Sequence, residues 1–265
     1  MITTYHRPQT LTEALALLAG SNVLPLGGGT LLSRPQIAPV EVVDLQSLGL
    51  DSINKKGGDL HLGATVTLQQ FLESHHCPET LKPAIKLEAP INIRNSATVA
   101  GALVSCDGRS PFATALLALD AKLEMKSINK MELANMEAES REPGHNMVTL
   151  GLGEFLPMRS DYLPGKLITL ITMPLNIKFA FEFVSRTPAD KPIICAALTQ
   201  WTSGRTRLAL GGYGKSPLLA MDGTEAGGLE AAARNAYHEA NDEWASAEYR
   251  MDVAAVLAKR CLEGL

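Results

Sequence analysis

The stretch Pro25-Leu26-Gly27-Gly28-Gly29-Thr30-Leu31-Leu32-Ser33 places three consecutive glycines after a short apolar run. Glycine loses more backbone freedom on folding than any other residue, so three in a row need a reason. One reason is anion binding. The successive amides of Gly27, Gly28, Gly29 and Thr30 would converge as a nest, with the Thr30 hydroxyl as a further donor. The segment Ser96-Ala97-Thr98-Val99-Ala100-Gly101-Ala102 offers the same chemistry through the Thr98 hydroxyl and the amides from Val99 to Ala102. Small residues let a ligand approach the backbone, which large side chains would block. Taken singly, each segment reads first as a tight turn. Two in one chain, each after an apolar run, point toward a ligand containing a diphosphate.

Other chemistries find little support. Leu32 stands where a dinucleotide fingerprint needs its third glycine, and Ala209 stands where a P-loop ending in Gly211-Gly212-Tyr213-Gly214-Lys215-Ser216 needs its first. His75 and His76 are adjacent and are expected on different faces of a helix, not as a ligand pair. No GxSxG elbow is present. Cys77, Cys106, Cys195 and Cys261 are too far apart for a CxxC metal site and read as buried reduced thiols.

The elements that must hold the two small-residue segments are legible in outline. Thr10 with Glu13 makes a capping box for a helix that stops at Gly20. Val23–Leu26, Val40–Leu45 and Leu60–Val66 read as strands, and Thr67 with Gln70 caps a further short helix. Leu81 to Ala89 reads as a helix, and Pro111 onward as a helix running into a strand. Asn129 to Asn146 is polar and is expected to be a loop. From about Leu167 the texture becomes strands separated by turns, read as an antiparallel meander, followed by two helices over Glu225–Glu239 and the C-terminal segment. The overall class is α+β.

Bulk properties narrow the function classes. The chain has 265 residues, 46% hydrophobic and 20% charged, which suits one or two globular domains. A net charge of −4 without a basic block argues against nucleic-acid binding. The longest apolar runs are too short to span a bilayer, and the N-terminal MITTYHRPQT holds no export-signal core, so a cytoplasmic protein is expected.

Several stretches in order resemble the FAD-binding middle subunit of molybdenum hydroxylases, the xanthine dehydrogenase and carbon monoxide dehydrogenase group. YHRPQTLTEALALLA is similar to that family's opening, LGGGTLL to its first flavin loop (AGGTDL), and IRNSATVAGAL to its second (IRN-x-ATIGGNL). ALLALDA, LALGGYG and ASAEYRMDVAAVLAKRCLE follow at the expected places. The resemblance implies a two-lobed flavin-binding domain of the vanillyl-alcohol-oxidase/PCMH type, with lobes at 1–57 and 58–172, and a small C-terminal domain of antiparallel sheet plus helices at 173–265. It implies FAD held by Gly27, Gly28, Gly29, Thr30, Leu31, Leu32, Thr98, Val99, Ala100, Gly101, Ala102, Asp107, Pro111 and Ile168.

The implied function is a flavin-carrying electron relay. An iron–sulfur small subunit and a molybdopterin large subunit are the implied partners, with NAD or a quinone as electron acceptor. No catalytic residue or metal is expected on this chain itself. Departures from the family pattern are Leu31 for a polar residue, Ala100 for a glycine, Ala102 for an asparagine, Pro111 for an aspartate and Glu182 for a lysine. Each removes a polar contact or adds a methyl. They leave two alternatives: a family member that has lost FAD and serves as a scaffold, and a stand-alone flavin oxidoreductase.

Overall fold

Three sheets follow one another along the chain. The structure, a computed structural model, describes residues 1–34, 38–129, 144–188 and 190–265. The first sheet holds β1 (Ile2–His6), β2 (Val23–Leu26) and β3 (Val40–Asp44), all parallel, in the order β1-β3-β2. Parallel strands need a crossover connection, and α1 (Leu11–Leu18) supplies it between β1 and β2, which flank β3. Thr10 starts that helix by accepting the Glu13 amide at 3.2 Å, while the Glu13 carboxylate accepts the Gln9 amide at 2.9 Å. Its apolar stripe of Ala14, Leu15 and Leu18 packs on Val43 and Leu45, and also on Ile128 and Leu167 of the next sheet.

The second sheet is antiparallel, in the order β4-β5-β8-β6-β7, from β4 (Ile53–Lys56), β5 (Asp59–Gly63), β6 (Lys122–Ile128), β7 (His145–Gly151) and β8 (Leu167–Pro174). Between β5 and β6 run α2 (Leu68–Glu73), α3 (Lys82–Glu88), α4 (Ile91–Arg94), α5 (Val99–Ser105) and α6 (Pro111–Ala118). Between β7 and β8 lies α7 (Leu152–Tyr162). The third sheet is the meander β9 (Lys178–Val184), β10 (Ile194–Gln200), β11 (Thr206–Gly211) and β12 (Leu218–Gly223), followed by α8 (Leu229–Ala236) and α9 (Ala247–Glu263).

Several expectations change. Leu167–Pro174 pairs with β5 and β6, so the meander starts at Lys178 rather than at Leu167. The hairpin β4–β5 turns at Gly57-Gly58, which puts β4 in the second sheet. Of the polar stretch Asn129 to Asn146, residues 130–143 lie outside the described residues, and His145 and Asn146 already belong to β7. His75 and His76 do not share a helix. α2 ends at Glu73, Ser74 takes an extended backbone, and the two rings lie 3.8 Å apart.

The two central strands of the meander, β10 and β11, are buried on both faces. On one side Leu198, Leu208 and Leu210 pack on Leu229, Ala233 and Tyr237 of the α8 region and on Leu257 and Cys261 of α9. On the other, Ala197 and Ala209 join the core that includes α6, all eight residues of which are buried. Double burial explains why ICAALT and LALG are continuous apolar runs without alternation. Gly211 is required here, because a Cβ would lie 2.2 Å from Thr114 Oγ1.

Ion pairs fasten the same seam. Arg205 grips Asp222 with two 2.8 Å bonds and Asp120 with one of 2.9 Å. Arg207 reaches Asp222 at 2.7 Å, Asp120 at 3.1 Å and the Leu117 carbonyl at 3.1 Å. Asp120 lies in the turn from α6 to β6, so these pairs tie the second sheet to the third. Nearby, Glu88 at the end of α3 accepts the Ser110 hydroxyl at 2.6 Å, the Phe112 amide at 3.1 Å and Lys191 Nζ at 3.1 Å.

Arg250, fully buried on α9, donates to the carbonyls of Ala240 and Ala245 and to Asp242, each at 2.7 Å. Burial alone would raise the Asp242 carboxyl. The bonds from Arg250 and from the Trp244 and Ala245 amides outweigh it and hold the group below the ordinary carboxylate range. A depressed folded pKa stabilises the fold above the unfolded value, about 3.9, and that contribution is lost as pH falls through the folded value. Melting temperature should therefore hold near neutrality and drop below about pH 4. Asp242→Asn should melt lower at pH 7 and show a flatter acid limb; an unchanged limb in a pH series of thermal melts would contradict this assignment.

Candidate cofactor site

The three glycines of the opening stretch have three different reasons. Directly after β2, a Cβ on Gly28 would sit 1.6 Å from the Ser96 carbonyl oxygen, so only glycine lets the two backbones cross. A Cβ on Gly27 would meet Thr98 Oγ1 at 3.0 Å. Gly29 has φ +70°, in the left-handed region that favours glycine. The turn closes with Ser33 N–H donating to the Gly29 carbonyl at 2.9 Å and Arg34 N–H to the Leu31 carbonyl at 3.1 Å. No hydrogen bond among the described residues occupies the amides of Gly27, Gly28, Gly29 or Thr30.

The second segment behaves differently. Thr98 bridges to Thr67, and the Leu68 amide donates to the Ala97 carbonyl at 2.9 Å, which sets two capped helix starts side by side. The Val99 amide donates to Val66 at 2.8 Å, and the Ala100 amide to Ala64 at 3.4 Å. Thr98 caps α5 by accepting the Gly101 amide at 3.1 Å, and its carbonyl takes the Ala102 amide at 2.8 Å. The nest expected over Val99 to Ala102 therefore does not form, because its amides serve the bridge and the helix. What the segment supplies instead is a smooth wall of small residues.

The first loop and this wall face one cleft of about 590 Å³. Gly27, Gly28, Gly29, Thr30, Leu31 and Leu32 line it from the first lobe. Thr98, Ala100 and Gly101 line it from α5, and Ile168 from the start of β8. Val99 and Ala102 are buried in the core of the second sheet instead. Asp107 and Pro111 also lie outside the wall. Asp107 is exposed and accepts the Arg109 amide at 3.0 Å, whereas Pro111 is the buried first residue of α6.

Sequence reasoning missed other parts of the wall: the turn Gly20-Ser21-Asn22, Ala64 on leaving β5, and the segment from Leu163 to Lys166. A signal for the last existed in Pro164-Gly165 before a strand, where Gly165 takes φ +67°. Among the described residues the wall holds no His, Asp, Glu, Cys or Tyr side chain. The four cysteines lie elsewhere as buried free thiols; burial pushes Cys106 up to about 11 and Cys77, Cys195 and Cys261 to about 12, so none is a thiolate near neutrality. Among the described residues no cluster could hold a metal ion, and no helix is long and apolar enough to cross a membrane.

A cleft of about 590 Å³ walled by a glycine loop and small helix-cap residues, with no acid among its described lining, has the character of a ligand pocket. Residues 1–176 match the FAD binding domain in molybdopterin dehydrogenase, and the chain belongs to that family. It is 26% identical over 265 residues to the protein YgfM of Escherichia coli (strain K12), covering 97% of this chain and 94% of that one. It is 25% identical to the carbon monoxide dehydrogenase medium chain of Afipia carboxidovorans, covering 98% and 95%. A crystal structure of Cu,Mo-CO dehydrogenase in a cyanide-inactivated form superposes with a TM-score of 0.76 at 24% identity, covering 99% of this chain and 97% of that one.

The glycine assignments make a graded prediction. Gly28→Ala forces one backbone away from the other and should cost about 3 kcal/mol. Gly29→Ala, strained only by its φ, should cost about 1 kcal/mol. Equal losses in urea unfolding would show that the crossing at Ser96 is not what demands Gly28.

Proposed function

We propose that this cleft, between the first two lobes of a vanillyl-alcohol-oxidase/PCMH-type fold divided before β4 and after β8 rather than at residues 57 and 172, holds FAD. On this reading the chain is the flavin subunit of a molybdenum hydroxylase-type oxidoreductase in the cytoplasm. Its partners are an iron–sulfur small subunit and a molybdopterin large subunit. The observation that carries the reading is the set of amides from Gly27 to Thr30, unengaged among the described residues, in a cleft whose described wall has no acid.

The residues present fit the group. Four N–H donors suit the oxygens of a diphosphate. Leu24, Leu31, Leu163 and Ile168 offer apolar surface for flat rings. Thr98 and Ala100 keep their side of the wall small enough for backbone approach. FAD supplies the interconversion between one-electron carriers such as iron–sulfur clusters and a two-electron acceptor such as NAD or a quinone. The chain's part is to bind, orient and shield it, which explains a site without acid, base or nucleophile. Ala100 and the engaged amides of the second segment leave the first loop as the main donor set, so Thr98→Ala should weaken binding less than a substitution in the loop.

The purified protein should be yellow and release FAD on denaturation, or the apo form should bind added FAD in calorimetry at micromolar affinity or better. A colourless chain that ignores FAD would overturn this reading and leave the scaffold role. Gly28→Ala should lose at least ten-fold in FAD affinity, because displacing the loop misplaces several donors at about 1 kcal/mol each.

A further inference from the structure

Among the described residues, Lys166 is the single charged side chain in the wall of the cleft. It forms no ion pair among the described residues, and its Nζ lies 5.6 Å from the centre of the Tyr162 ring. That distance is near the limit of a useful cation–π contact, so the charge is not neutralised locally. Its backbone is held firmly. The Lys166 amide donates to the Leu163 carbonyl at 3.0 Å, Gly165 makes the turn at φ +67°, and Leu167 enters β8 immediately afterwards. In a chain of net charge −4, Lys166 is a half-buried cation with no carboxylate partner among the described residues of the cleft, and is open to an anionic ligand.

We propose that Lys166 is a specificity-determining residue of the cleft. Its charge selects ligands bearing a diphosphate over the uncharged remainder of the same molecule. The inference rests on the cofactor reading above and adds to it a chain-specific electrostatic component. The amides of Gly27 to Thr30 give short-range donors, and Lys166 gives a longer-range attraction that low-dielectric walls preserve. Opposite charges sharing one cleft attract beyond hydrogen-bond range at an effective dielectric near that of a protein surface, and salt weakens the attraction. Lys166 touches no catalytic chemistry in this account; it sets which ligands enter and stay.

The test is calorimetric titration of the full chain and its Lys166→Gln and Lys166→Arg variants. The probes are FAD, ADP as a diphosphate without a flavin, and riboflavin as a flavin without phosphate, each at low and high salt. Lys166→Gln should weaken ADP and FAD by the same factor, about five-fold at low salt, and leave riboflavin unchanged. Lys166→Arg should restore most of the loss, and wild-type affinity for ADP should fall more steeply with salt than that of the glutamine variant. Unchanged melting temperatures of the ligand-free variants would separate this from a structural effect.

Equal loss for riboflavin, or no loss for ADP and FAD, would overturn the proposal. The outcomes separate the two readings. FAD bound equally by wild type and Lys166→Gln removes the role of Lys166 and keeps the cofactor. ADP bound through Lys166 with no affinity for FAD keeps Lys166 and removes the flavin.

Discussion

The molecule turns on one close approach. The peptide at Gly28 lies against the Ser96 carbonyl with no room for a methyl group, and Gly27 leans on Thr98 beside it. This crossing fastens the parallel sheet of the first lobe to the helical face of the second. It also lifts the loop so that its amides are used by neither sheet. A cleft with unspent donors is thus a by-product of how two lobes are joined. The Thr67–Thr98 bridge carries the same fixing inward, since it locks the segment that Gly28 rests on to the end of the strand β5.

Polar groups in the rest of the molecule are placed to join lobes. Arg205 and Arg207 share Asp120 and Asp222 across the seam between the second and third sheets, and Glu88 gathers Ser110, the start of α6 and Lys191. Hydrogen bonds from Arg205 hold Asp222 below the ordinary carboxylate range, despite an opposing effect of burial. These are saturated structural clusters. The cleft is built the opposite way, with free donors and almost no charge, which is the character of a binding site rather than of a catalytic centre.

Local signals were legible where local physics decides. Thr10 and Thr67 cap the helices that their spacing implies, with the reciprocal bonds of a capping box around Thr67 and Gln70. The apolar runs of β10 and β11 read directly as strands because burial on both faces removes alternation. What could not be read is set by pairing at a distance. Leu167–Pro174 looks like its C-terminal neighbours, yet its partners are residues 59–63 and 122–126, more than forty positions upstream. The glycine loop was recognisable as a candidate site, but its amides are free because of Ser96, a contact no periodicity announces. In the second segment the same composition produced the opposite result, since Thr98 serves its own helix.

The double burial of β10 and β11 has a consequence for where the protein divides. The family model matches residues 1–176, a span that closes just after β8. Yet α6, wholly inside that span, has β10 and β11 as its cover, and Asp120 has its two arginines beyond it. The span the family model covers and the core packed around α6 are therefore different lengths, because that core takes in Ala197 and Ala209 beyond residue 176.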